Sequence, residues 1–157
     1  MIKCEKTVKL IIIAKKFCEI KAQFLQKYFA PILLLTLRIM IAFVFLKSGL
    51  VKFSNLDATV LLFEYEYQVP LLHPKIAAYL ATFFELACSF ALIFGLFTRL
   101  ACLPLIAMTL VIQFSVLQHE MHFYWLAVLA TIFTFGAGII SFDKLIAKIV
   151  DRCGKII

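Results

Sequence analysis

Arg38 and Glu85 stand inside apolar runs long enough to cross a bilayer, and Lys47 follows Arg38 in the same run. A charge at membrane depth costs about 2.5–3.5 kcal/mol even on insertion scales, so it turns toward a partner or a water-filled cavity. A buried carboxylate among cations has an adjustable proton affinity, and can relay protons or hold the polar head of a ligand such as a quinone. The competing reading is an ion pair that only fixes helix register, with Arg38 or Lys47 snorkelling to an interface. At about 1.5 Å per residue, Arg38 lies about 12 Å and Lys47 about 25 Å above Ala30, while Glu85 lies about 20 Å above Thr98 on an antiparallel span. An Arg38–Glu85–Lys47 cluster is therefore expected.

Other polar residues carry weaker signals. Thr109 with Gln113, and Thr131 with Thr134, have the spacing of residues that hydrogen-bond between membrane helices. His119 and His122 flank Glu120 in an expected outer loop, but stand three apart where the metalloprotease pattern needs four. A metal there would need a third donor such as His73, so the expectation is no metal, with a surface histidine or a proton-accepting group near the interface. Cys4, Cys18, Cys88, Cys102 and Cys153 show neither CxxC nor metal spacing and read as unpaired thiols. No nucleophile constellation, carboxylate dyad or nucleotide loop is visible, so any catalysis would depend on a cofactor, a quinone or a partner subunit.

The elements that position these residues follow from composition. The 157-residue chain is 64% hydrophobic and 16% charged, against roughly 45–50% and about 25% in water-soluble domains. Continuous apolar runs, without the alternation of a barrel strand, predict an all-α integral membrane four-helix bundle. Its spans are expected at Ala30–Leu50, Ile76–Phe97, Leu100–Leu117 and Phe123–Ser141, the third being the shortest, with Pro104 in its first turns. Lys3, Lys6, Lys9, Lys15, Lys16, Lys21 and Lys27 precede the first span, Arg99 joins the second to the third, and Lys144, Lys148, Arg152 and Lys155 follow the fourth. This bias places both termini in the cytoplasm. It also accounts for the net charge of +7 without nucleic acid.

Outside the spans, Ile13, Phe17, Ile20 and Phe24 recur at helical spacing opposite Lys9, Lys16 and Gln23, predicting a basic amphipathic interfacial helix over residues 1–29. The four-span domain then covers 30–145 and a basic tail 146–157. Between the first two spans, Ser54 and Asp57 form an expected capping box. Leu56, Val60, Phe63 and Tyr67 make the apolar stripe of a helix ending at Pro70, which would lie on the outer face as a lid. Tyr65 and Tyr67 read as interfacial belt residues.

The runs L-R-I-M-I-A-F-V-F-L-K-S-G-L-V-K (Leu37 to Lys52), F-E-L-A-C-S-F-A-L-I-F-G-L-F-T-R (Phe84 to Arg99) and G-A-G-I-I-S-F-D (Gly136 to Asp143) resemble the DoxX family of small four-helix membrane proteins. The segments F-E-Y-E-Y-Q-V-P (Phe63 to Pro70) and M-T-L-V-I-Q (Met108 to Gln113) resemble a bacterial branch of it, and the likeness covers Pro31 to Leu145. The resemblance implies that Arg38, Gly49, Lys52, Glu85, Gly95, Thr98, Arg99 and Asp143 occupy family motif positions. Lys47 stands where many relatives carry a histidine or another polar residue, and Ala87 and Cys88 stand where small residues often follow the glutamate.

Family association implies an accessory or anchoring subunit of a quinone-linked redox system. In that reading Arg38 and Glu85 hold the polar group, Lys47 modulates them, and Lys52, Thr98, Arg99, Gln113, His122 and Asp143 are secondary. The expected partners are the lipid bilayer and redox subunits. A small permease whose homo-oligomer supplies the pore and a non-catalytic scaffold are the alternatives.

Overall fold

The structure, a computed structural model, describes residues 15–17, 19–69, 72–115, 120–138 and 140–153. Among these, every regular element is helical. The chain divides into two compact units, Met1–Leu33 and Leu34–Ile157.

The described part of the first unit is helical at 15–17 and 19–24 and continues into a π-helical turn, Leu25–Phe29. Phe17, Ile20 and Phe24 are exposed, as an unpartnered amphipathic stripe requires. Lys21 covers the Phe17 ring at 4.4 Å. The rest of the expected N-terminal helix, residues 1–14 with Cys18, lies outside the described residues.

In the second unit the bundle is made by four apolar helices: α1 (Ala30–Ser54), which begins in the first unit, then α3 (Pro74–Phe94), α4 (Thr98–Ser115) and α5 (Glu120–Phe135). A short α2 (Leu56–Leu62) with a π-helical extension, Phe63–Tyr67, joins α1 to α3. An amphipathic α6 (Phe142–Cys153) follows α5. The helical run Lys15–Ser54 and α3 are long and apolar enough to cross a membrane, whereas Thr98–Phe114 and Glu120–Phe135 are shorter apolar helices. Among the described residues the shortest of the four is α5, with 16 residues against 18 in α4, where the third span was expected to be the shortest.

Alternating spacings of four and three put one stripe of each helix into the core. On α1 this stripe is Arg38, Ala42, Phe45, Gly49 and Lys52; on α3 it is Ala78, Thr82, Glu85, Ser89 and Leu92, all buried. Such a repeat holds one face against its neighbour over several turns. Leu105 of α4 and Leu129 and Ile132 of α5 complete the core at 0% exposure. The opposite faces carry exposed Phe43, Phe83 and Phe114, a surface made for lipid rather than water.

Helix ends explain where the expected spans shift. Gly95 has φ +69°, and Leu96 N donates to Ala91 O (2.9 Å) while Gly95 N donates to Leu92 O (3.2 Å). This left-handed closure stops α3 before Phe97. Gly136, at φ +78°, stops α5 well before Ser141. Asn55, not Ser54, caps α2, its side chain accepting from Ala58 N at 3.0 Å. Ser54 instead donates to Val51 O (2.8 Å) within the last turn of α1, because α1 runs four residues past Leu50. The extension of α2 closes at Gln68, φ 38°, ahead of Pro70. Because α4 begins at Thr98, Pro104 falls inside it and removes one backbone donor from its ladder.

Candidate functional site

Lys52 Nζ donates to both carboxylate oxygens of Glu85, at 2.7 and 2.8 Å, and to Ser48 Oγ at 2.7 Å. The two charged side chains are 11% and 4% exposed, so the pair lies in the low-dielectric interior, where each charge depends on the other. Gly49, one turn before Lys52, allows the approach: a Cβ there would meet Glu85 Cβ at 3.1 Å and the Leu86 side chain at 3.0 Å. Small residues at such crossings let membrane helices come close.

This geometry corrects the expected cluster. Glu85 pairs with Lys52, and neither Arg38 nor Lys47 completes the site. Arg38 donates from Nη1 to Ala137 O and from Nη2 to Ile140 O (3.0 Å), and it packs against Gly95 at the end of α3. The depth arithmetic placed Ala30 level with Thr98, but Arg38 is the residue level with that end. Every position on α1 is therefore displaced along the bundle, and Lys52 arrives where Lys47 was expected. Lys47 is exposed, since it lies off the buried stripe.

The pair lines a pocket of about 250 Å³. Phe63 and Val69 from the α2 connection, Phe84 of α3, and Pro104 and Met108 of α4 form its walls, and Lys52 and Glu85 are its charged groups. The expected lid is there: Phe63 packs on Ala77 and Ala78 at the start of α3, flanked by Val60 and Tyr67. Thr59 fastens the lid by donating to Lys52 O at 3.1 Å. Burial first, and then the carboxylates of Glu85 and Glu66, push the Tyr67 phenol above its ordinary value.

The arrangement offers a carboxylate with lone pairs beyond those the lysine uses, and an ammonium whose three N–H groups are held by Glu85 and Ser48, so that a ligand acceptor would have to replace Ser48 Oγ. Both line a pocket whose other walls are apolar. A ligand that presents a carbonyl or hydroxyl on an apolar body fits it, because polar contacts orient such molecules while apolar walls bury them.

The remaining expected residues occupy two other places. Gln113 Oε1 and His122 Nδ1 are 2.9 Å apart and join α4 to α5 in the interior. His122 is buried against Trp125, ring centroids 5.1 Å apart, rather than on the surface, because α5 begins at Glu120 and takes His122 into its first turn. His119 lies outside the described residues. Thr109, Thr131 and Thr134 do not bridge helices; each hydroxyl donates to the carbonyl four residues earlier, at 2.7–2.8 Å.

At the opposite end, Asp143 accepts from Phe97 N (2.7 Å) and Thr98 N (3.1 Å), capping α4 from a distant segment. Thr98 is fully buried, and Arg99 reaches Thr134 O at 3.3 Å. Asp143→Ala is expected to lower stability by about 1–2 kcal/mol, as loss of an N-cap does, with Asp143→Asn less costly because one acceptor remains. Thermal unfolding of the detergent-solubilised protein measures the difference.

A family model described as DoxX matches residues 33–118. No curated protein and no solved structure shows a significant match. The matched residues include Arg38, Gly49, Lys52, Glu85, Gly95, Thr98 and Arg99 and all the pocket walls, while Asp143 lies beyond them. With more than half its length matched and its long apolar helices in place, the chain belongs to the DoxX family of membrane proteins.

Proposed function

We propose that this protein is a quinone-binding accessory or anchoring subunit of a membrane redox system, with the head group seated against Lys52 and Glu85. The observation that carries this reading is a buried ion pair lining an otherwise apolar pocket. A quinone carbonyl would take over the Lys52 N–H that now bonds Ser48 Oγ, and a quinol hydroxyl would donate to Glu85. The isoprenoid tail would leave between Phe84 and Met108. The electrons come from a partner subunit; this chain's residues bind and orient the head group and keep water from it.

The same reading puts α1, α3, α4 and α5 across the bacterial inner membrane, with both termini in the cytoplasm. It is supported by lysines before α1 and Lys144, Lys148 and Arg152 after α5. At about 24 Å, α5 is shorter than a hydrocarbon core of about 30 Å, a mismatch that flanking segments and local thinning absorb.

The test is titration of the purified protein with a decyl-substituted benzoquinone. Saturable binding is expected for the wild type, with at least a tenfold weaker Kd in Met108→Trp, which fills the slot without touching the pair. Failure of the wild type to bind, or unchanged binding in Met108→Trp, overturns the proposal. Solute flux through proteoliposomes without quinone binding would select the permease reading.

A further inference from the structure

The amphipathic α6 is the feature that the pocket leaves unused. It is twelve residues long and includes the described part of the expected basic tail. At about 100° per residue, Phe142, Leu145, Ile146, Ile149 and Val150 fall on one arc and are 45–62% exposed. Lys144, Lys148, Asp151 and Arg152 fall on the other and are also exposed. An apolar stripe of this kind left open to water on a folded chain calls for a cover.

The cover is identified by where the helix starts. Asp143 is bonded through its side chain to Phe97 N and Thr98 N and through its own N–H to Gly95 O (3.0 Å). Phe142 meets the Phe94 ring with centroids 6.3 Å apart. The first turn of α6 is therefore pinned level with the point where α3 ends and α4 begins, which in a membrane protein is a surface of the bilayer. An open groove of about 310 Å³ beside the start of α6 is lined by Leu35, Ile93, Phe94, Phe142 and Leu145, with Arg38 and Ser141 as its polar members, and joins the apolar stripe to the flank of the bundle. On the polar arc, three cations face one acid, Asp151, because Asp143 is committed to the cap of α4.

We infer that α6 is a docking helix for an anionic lipid surface, its apolar face sunk at the interface and Lys144, Lys148 and Arg152 engaging headgroup phosphates. Cations whose aliphatic stems border an apolar stripe place their charge at headgroup level, and anionic leaflets attract such clusters. The continuity of the stripe with the lipid-facing flank favours lipid over a protein partner. The inference is independent of what the pocket binds.

The test uses the full-length protein in nanodiscs, with Cys4, Cys18 and Cys153 replaced by serine and the buried Cys88 and Cys102 retained. A nitroxide is placed by Lys148→Cys or Ile149→Cys, and its collisions with oxygen and with a water-soluble nickel chelate are measured. In bilayers containing phosphatidylglycerol, oxygen is expected to dominate at Ile149 and the chelate at Lys148, each by severalfold. Pure phosphatidylcholine, or the combined Lys144→Gln, Lys148→Gln and Arg152→Gln changes, should raise chelate access at Ile149 severalfold. Equal chelate access at both positions in the anionic bilayer overturns the inference. So does shielding of Ile149 from both reagents, which means a protein cover, or indifference to the three charges.

Discussion

Glu85→Leu alone is expected to destabilise the protein by about 3–5 kcal/mol, whereas Lys52→Met combined with Glu85→Leu should come within about 1–2 kcal/mol of the wild type or exceed it. The asymmetry arises because Lys52 and Glu85 exchange two short contacts where almost no water reaches. Removing the carboxylate strands an ammonium in a low-dielectric site with only Ser48 Oγ as a partner. Removing both charges eliminates the desolvation cost along with the attraction, and leaves two side chains of matching bulk against apolar walls. Unfolding midpoints of the single and double variants in one detergent measure the cycle. A neutral Glu85→Leu would mean that the pair does not form in the membrane. The cycle also separates structure from function: the double variant should fold yet lose quinone binding, and a double variant that binds as the wild type does would remove Lys52 and Glu85 from the site.

The helical class was legible because the apolar runs in Ala30–Leu50 and Ile76–Phe97 are continuous rather than alternating, and the lid because Leu56, Val60, Phe63 and Tyr67 repeat at helical spacing. The partner of Glu85 was not read correctly, although a signal existed. The stripe through Arg38 at steps of four and three runs through Ala42, Phe45 and Gly49 to Lys52, and excludes Lys47. Depth counting ignored this angular information and assumed that both spans start at one level, which a sequence does not specify. Asp143 as the cap of α4 was also beyond reach, since the hydrogen bonds join residues 45 and 46 positions apart, and local patterns carry no such information. Gly95 and Gly136 did carry local information about helix ends. The apolar residues beyond them nevertheless extended the expected spans.

Gly95→Ala is expected to be the second most damaging single change. At φ +69° a side chain costs about 1–2 kcal/mol from backbone crowding alone. A further penalty arises because the added Cβ would lie 2.7 Å from both Arg38 Nη1 and Ser141 Cβ. Arg38 cannot yield freely, since its guanidinium holds the carbonyls of Ala137 and Ile140, and a buried group left unpaired costs about 1–3 kcal/mol. Gly138 provides the control: its φ is +78°, but a Cβ there would make only ordinary contact with Leu34, at 3.7 Å. Gly138→Ala should therefore show the backbone cost by itself, and Gly95→Ala should exceed it by at least about 1 kcal/mol. In an Arg38→Met background the excess should shrink to the part due to Ser141 Cβ, because the guanidinium is gone and its carbonyls are already unpaired. Equal losses at the two glycines would show that Arg38 does not hold the turn between α5 and α6. The family arginine would then need a role other than fastening the start of α6 to the end of α3.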